Sequence, residues 1–276
     1  MRIKYFDAHC HMQFGAFDAD REGLIERMRE HGVGGVVVGC DLEGSRQAVE
    51  LAEAHEHLFA SVGLHPNHEP DEAFDAAAYR ALVAHPKVVA IGECGLDYFR
   101  PAQVDDELKR KQQTLLGEQI ALATELDKPL IIHSRPSKGT QDAYQDLIEI
   151  LKEAKVAHPN LQGDTHFFVG GTLEMQALVA LDFTVSFTAV ITFARDYDRV
   201  IRAVPRASLL AETDAPYVPP TSREKGSRND PLAVEDVVAK LAEIRGEDPE
   251  ALRGEILANS QRLFTPRALR PPDLKV

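Results

Sequence analysis

Six side chains of types that hold metal ions stand out in the sequence: His9 and His11 within Asp7-Ala-His-Cys-His11, then Glu93, His133, His166 and Asp214. Across residues 6–12 polar side chains alternate strictly with apolar or soft ones, the mark of a strand with two different faces, so His9 and His11 project to one side. Imidazole and carboxylate ligands without thiolate suit zinc, manganese, nickel or iron. Six ligands exceed the three or so of a mononuclear catalytic site, which predicts two divalent ions per chain. Two ions roughly 3.5–4 Å apart share a carboxylate and a water, and they lower the pKa of that water from about 15.7 to about 7. The resulting hydroxide attacks an ester, phosphoester or amide, and a carboxylate beside it takes the proton.

Such a centre needs elements that bring distant residues together. Short apolar runs fall at 5–9, 33–40, 58–64, 88–93, 129–133, 161–166, 183–187 and 209–213. Several are β-branched and nearly continuous, as strands buried on both faces of a parallel sheet are. Between them lie helical patterns: Leu24, Ile25 and Met28 share a face, as do Leu108, Leu115, Leu116, Ile120 and Ala123, and Leu147, Ile148 and Leu151. Eight strand–helix units in a chain of 276 residues predict an α/β fold, a (β/α)8 TIM-type barrel. His9 and His11, Glu93, His133, His166 and Asp214 then all fall at the C-terminal ends of strands, the face where barrels build their active sites. One domain over residues 1–265 is expected, with a Pro- and Arg-rich tail at 266–276 packing loosely outside it.

Composition narrows the setting. The net charge of −13 is a poor background for a broad electrostatic grip on nucleic acid, although bound metal ions would supply a local cationic site. No apolar run reaches the roughly 18 residues of a membrane span. Three cysteines without paired spacing, and no apolar leader, point to a reducing cytoplasm.

The segments that carry these residues resemble the TatD family of metal-dependent hydrolases, within the amidohydrolase superfamily. They are Asp7-Ala-His-Cys-His11, Val62-Gly-Leu-His-Pro66, Ala90-Ile-Gly-Glu-Cys-Gly-Leu-Asp-Tyr98, Ile131-Ile-His-Ser-Arg135, Thr165-His-Phe167, Glu212-Thr-Asp-Ala-Pro-Tyr217, Arg228-Asn-Asp-Pro231 and Asn259-Ser-Gln-Arg-Leu-Phe264, in family order from end to end. The resemblance implies that His9, His11 and Asp214 hold one divalent ion, that His133 and His166 hold the other, and that Glu93 bridges them. The metal, whether zinc, manganese, magnesium, nickel or iron, is left open. Asp214 would also accept the proton of the nucleophilic water, and His65 and Arg135 would contact a phosphate-bearing substrate. Known members include deoxyribonucleases, some of them 3′ exonucleases on single strands. The chain departs from the family at Pro136-Ser-Lys-Gly-Thr140, at His166-Phe-Phe168 and in a longer loop over 221–229.

The expected activity is therefore hydrolysis of phosphodiesters, as a deoxyribonuclease. The alternatives are a hydrolase of a lactone, amide or simple phosphoester, and a non-catalytic metal-binding protein. DNA or another phosphoester is the expected partner, with no membrane; the oligomeric state is open. His55-Glu-His57 repeats the spacing of His9 and His11, but it precedes a strand, at the opposite end of the barrel, and is read as solvated. So are His31, His85 and His158. Asp7 either orients an imidazole from behind or is an ordinary strand-end carboxylate. Cys10 and Cys94 are expected to be small buried thiols. Arg223, Lys225 and Arg228 either meet a nucleic-acid backbone or are solvated.

Overall fold

The computed structural model describes residues 2–68, 73–101 and 104–265, so the tail expected over 266–276 lies outside the described residues. Eight parallel strands run in sequence order: β1 (Tyr5–Cys10), β2 (Val33–Val38), β3 (Leu58–Val62), β4 (Val88–Asp97), β5 (Leu130–Arg135), β6 (Gly163–Thr165), β7 (Phe183–Phe187) and β8 (Leu209–Ala211). Helices α1 (Arg21–His31), α2 (Leu42–Ala54), α3 (Ala76–Val83), α4 (Asp106–Glu125), α5 (Asp142–Ala157), α6 (Thr172–Ala180) and α7 (Asp198–Ala203) fill the crossovers, and α8 (Val234–Arg245) and α9 (Pro249–Phe264) follow β8. This is the expected (β/α)8 barrel.

The ring closes between β8 and β1 just past the end of β8. The Asp214 N–H donates to the His9 carbonyl at 2.9 Å and the His11 N–H to the Ala215 carbonyl at 2.8 Å. Below them the buried Asp7 carboxylate accepts the Thr213 N–H at 2.8 Å and its hydroxyl at 2.6 Å. The helical faces read from the sequence turn inward: Leu24, Ile25 and Met28 of α1 and Leu147, Ile148 and Leu151 of α5 are buried. Side-chain caps fix several helix starts, as where Asp105 accepts the Leu108 N–H and Asp248 accepts the Ala251 N–H.

Several strand ends differ from expectation. β4 continues past Glu93 to Asp97, with an irregular register between Ile91 and Cys94 and a cis Gly92–Glu93 peptide. There the Glu93 N–H leaves the ladder for the Gly39 carbonyl at 2.9 Å, while the chain resumes pairing with β5 at Cys94 opposite Ile132 and Gly95 opposite His133. Gly95 has φ +136°, and a Cβ on it would lie 1.9 Å from the His133 carbonyl oxygen, so only glycine lets the strands close there. β6 and β8 are shorter than read, because Phe167 (φ +44°) and Asp214 (φ +49°) leave the extended conformation at the rim. His57 is also corrected: it is buried, not solvated, beside Ile25 and Ala54 in a crevice at the N-terminal end of the barrel. His55 stays part-buried, with Nε2 3.6 Å from Glu22.

Candidate metal centre

The C-terminal rim brings together all six side chains picked out above, each no more than 9% exposed. They form two linked clusters. In the first, His9 Nε2 and His11 Nε2 lie 3.1 Å apart. Asp214 Oδ1 is 3.3 Å from His11 Nε2 and 3.8 Å from His9 Nε2. In the second, His133 Nδ1 and His166 Nε2 lie 3.4 Å apart. Glu93 stands between them: Oε2 is 3.5 Å from His9 Nε2, and Oε1 is 2.9 Å from His166 Nε2 and 3.1 Å from His133 Nδ1. The His9 and His166 rings stack at 3.8 Å and tie the clusters together.

The hydrogen bonds behind the rings decide which nitrogens carry lone pairs. His11 Nδ1 lies 2.9 Å from the Val38 carbonyl, an acceptor only, so Nδ1 carries the proton and Nε2 presents a lone pair. His133 Nε2 lies 3.0 Å from Asp97 Oδ2, so it is Nδ1 that presents a lone pair to Glu93 and His166. Imidazole nitrogens and carboxylate oxygens crowded within 4 Å repel one another unless positive charge, as protons on the rings or as a metal ion, lies among them. Burial pushes the Glu93 carboxyl up, but the imidazoles of His166, His65 and His133 outweigh it and hold it well below the usual carboxylate range. Burial likewise opposes ionisation of Asp214, and His11, His9 and His166 prevail. A set of imidazole nitrogens and carboxylate oxygens at these distances fits divalent first-row ions.

Behind this shell are residues that the sequence reading missed. Asp97 accepts the His133 ring N–H and the backbone N–H groups of Phe99 and Arg100, each at 2.9–3.0 Å. Burial opposes its ionisation, but His133 and these N–H groups hold its carboxyl down at about 2. The signal for it was the strand itself, read as ending at Glu93. Glu212 accepts the Phe167 N–H at 2.5 Å and so holds the turn that follows His166. Cys40 Sγ lies 3.4 Å from Glu93 Oε2, and burial and Glu93 keep it a thiol. Cys10 and Cys94 are buried as expected and donate to the Val36 and Ile131 carbonyls. Among the described residues Asp7 touches no imidazole ring, and besides Thr213 it accepts only the His9 backbone N–H, at 3.2 Å. Of its two expected roles the structural one describes it.

A cleft of about 490 Å³ opens above the clusters. His65 lines it, with Nε2 3.5 Å from Glu93 Oε1. Its Nδ1 accepts the Asn67 N–H at 3.1 Å, so Nε2 carries the proton, and burial lowers its pKa to about 3. Arg135 also lines the cleft, its guanidinium 4.2 Å above the Phe99 ring. Arg228 and Arg223 are part-buried and ion-paired, whereas Lys225 is exposed. Arg228 forks onto Asp20 with two contacts of 2.7 Å, and Arg223 pairs with Asp230 at 2.9 Å. Among the described residues no helix is long and apolar enough to cross a membrane.

Comparison with known proteins bears on this geometry. The family model described as TatD related DNase matches residues 6–265. The uncharacterized metal-dependent hydrolase YabD of Bacillus subtilis is 35% identical over 263 residues, covering 94% of this chain and 98% of that protein. A protein named 3'-5' ssDNA/RNA exonuclease TatD, from Erwinia amylovora, is 32% identical over 269 residues, covering 94% and 99%. The crystal structure of YjjV, a TatD homolog from Escherichia coli, superposes with a TM-score of 0.84 at 32% identity, covering 96% of this chain and 99% of that one.

Proposed function

The chain belongs to the family of TatD-related DNases, and from that membership we propose that this metal-dependent hydrolase is a nuclease cleaving phosphodiester bonds of single-stranded DNA from a 3′ end. The observation that carries the reading is Glu93, whose two carboxylate oxygens face two different imidazole pairs. In this reading His9, His11 and Asp214 hold one divalent ion, His133 and His166 a second, and Glu93 both. Ions bound there would supply Lewis acidity to the scissile phosphoryl group and acidify a water.

The protein's own groups supply the rest. Asp214 is buried yet held ionised by three imidazoles, so its carboxylate is a proton acceptor for the attacking water at neutral pH. Asp97 fixes the His133 ring and its tautomer. His65 is neutral, with its proton on the nitrogen that faces Glu93, and donates a hydrogen bond to a phosphoryl oxygen without adding charge. Arg135 has no carboxylate partner among the described residues, and its planar fork is free for a phosphate at the mouth of the cleft.

The test is release of nucleotides from single-stranded oligonucleotides labelled at either end, on protein of measured metal content. Asp214→Ala is expected to lose at least about 100-fold in kcat/KM, as removal of a general base does, and Glu93→Ala to lose activity with the ligand that both ions would share. Intact activity in either variant refutes the mechanism. The net charge of −13 favours, as a second reading, a small lactone, amide or simple phosphoester. Turnover of such compounds without cleavage of DNA would select it.

A further inference from the structure

Among the described residues five large apolar side chains stand exposed: Phe99, Val156, Leu173, Phe193 and Tyr217. All three aromatics sit just beyond the C-terminal ends of barrel strands, Phe99 after β4, Phe193 after β7 and Tyr217 after β8. β4 and β8 are four places apart in a ring of eight, so Phe99 and Tyr217 stand on opposite sides of the barrel axis. The metal centre lies between them. Tyr217 is tied to one cluster: its N–H donates to the Asp214 carbonyl at 2.9 Å, and its ring centre is 6.3 Å from that of His11. Phe99 is tied to the other: its N–H donates to Asp97, the residue that holds His133. As residues Tyr217 is 47% and Phe99 48% exposed, Phe99 even with the Arg135 guanidinium above its ring.

Exposed aromatic rings beside a reaction centre have a specific use for one substrate class. An unpaired nucleobase stacks on such a ring whatever its identity, because every base has a π-face, and arginine beside the ring meets the backbone phosphate. In a chain of net charge −13, stacking and two metal ions grip a single strand where a broad basic surface is lacking. Resting on the nuclease reading above, we propose that Tyr217 and Phe99 are stacking platforms for the two bases that flank the scissile phosphodiester. Tyr217 takes the base on the side of the His9–His11 cluster. Phe99, backed by Arg135, takes the base on the side of His133. The grip is then independent of base identity and requires unpaired bases.

The test crosses two leucine variants, Tyr217→Leu and Phe99→Leu, with oligonucleotides lacking one base on either side of the cleaved bond, under single-turnover conditions. In the wild type, removal of either base is expected to cost about tenfold in kcat/KM, mostly through KM. Tyr217→Leu should lose about tenfold on the intact strand, then nothing more when one particular base is removed, while staying sensitive at the other position. Phe99→Leu should show the reverse, and Tyr217→Phe should match the wild type. Each comparison is made within one enzyme, so a misfolded fraction cancels. The platforms are overturned if both variants stay as sensitive to base loss as the wild type, or if both become blind at the same position, while the intact strand is still cut. A wild type that leaves the strand intact but hydrolyses a simple phosphoester overturns this proposal and the nuclease reading together.

Discussion

Replacing Asp97 by asparagine is expected to damage the His133 half of the centre more than replacing it by alanine. The carboxylate uses its two oxygens differently. Oδ1 accepts the N–H groups of Phe99 and Arg100 at 2.9 Å each, and Oδ2 accepts the His133 Nε2–H at 3.0 Å. Asparagine has one acceptor oxygen. With that oxygen in the Oδ1 place, its NH2 group meets His133 Nε2, and the ring proton must move to Nδ1, the atom that faces Glu93 and His166. With the amide reversed, two backbone N–H groups lose their partner, at about 1 kcal/mol each. The ion-free variant rests in the first arrangement, and binding must drive it to the second. The cost of about 2 kcal/mol is roughly a 30-fold loss of affinity for the ion on the His133 side, within the 10–100-fold range for outer partners of ligating histidines. Alanine presents no wrong partner to Nε2 and leaves the tautomer free. The assay is a competitive chelator titration of each ion, with activity followed against free metal. Asp97→Asn binding both ions as tightly as the wild type, or Asp97→Ala losing more than Asp97→Asn, would refute the reasoning.

Metal removal should lower the melting temperature: at 100 times its Kd a bound ion stabilises by about 2.7 kcal/mol, and Glu93→Gln should blunt the response to both ions. A chelator that leaves Tm unchanged would contradict a metal centre. Acid should destabilise the ion-free protein through His65. Its folded-state pKa is held at about 3 against an ordinary 6.5, so the unfolded chain takes up the proton first. This contribution is whole above about pH 6.5 and falls by about 1.4 kcal/mol per pH unit as pH drops toward 3. Urea unfolding from pH 6.5 to 4.5 should therefore be less steeply pH-dependent in His65→Asn, and equal slopes would count against the account. Thr213→Val takes a hydroxyl from the buried Asp7 carboxylate and should cost about 1–3 kcal/mol in urea unfolding, with Thr213→Ser near wild type. Gly95→Ala places a Cβ 1.9 Å from the His133 carbonyl oxygen and should yield no soluble barrel, as judged by size exclusion and circular dichroism.

The parts of the fold that the sequence revealed are those where burial alone sets the residue type. The run 33–38 is buried throughout, and an apolar stretch bounded by turn residues needs no partner to be legible. Polar residues at or just past the ends of such runs were legible as a candidate site for the same reason: a buried rim tolerates an imidazole or carboxylate only where it has work. What stayed hidden depends on contacts across the chain. The extension of β4 to Asp97 follows from pairing with β5 beyond an irregular register, which no local pattern announces. The ion pair of Arg228 with Asp20 joins residues 208 positions apart, so this arginine's partner is invisible in the composition of its own loop. His57 is buried by the neighbouring α1, although the two residues before it, His55 and Glu56, are polar.

The seam between the first and last strands has a consequence for how the protein becomes active. β8 is three residues long, and the bonds that close the ring come mostly from the residues that follow it, among them Asp214 itself. An ion gripped by His9, His11 and Asp214 would act as a cross-link between chain positions 205 residues apart (214 − 9), the kind of long closure in which a clip removes the most chain entropy. Catalysis then serves as a certificate of completion. A chain cut or stalled before β8 would lack both the closing strand and Asp214, the proton acceptor of the proposed mechanism, and is expected to be inert.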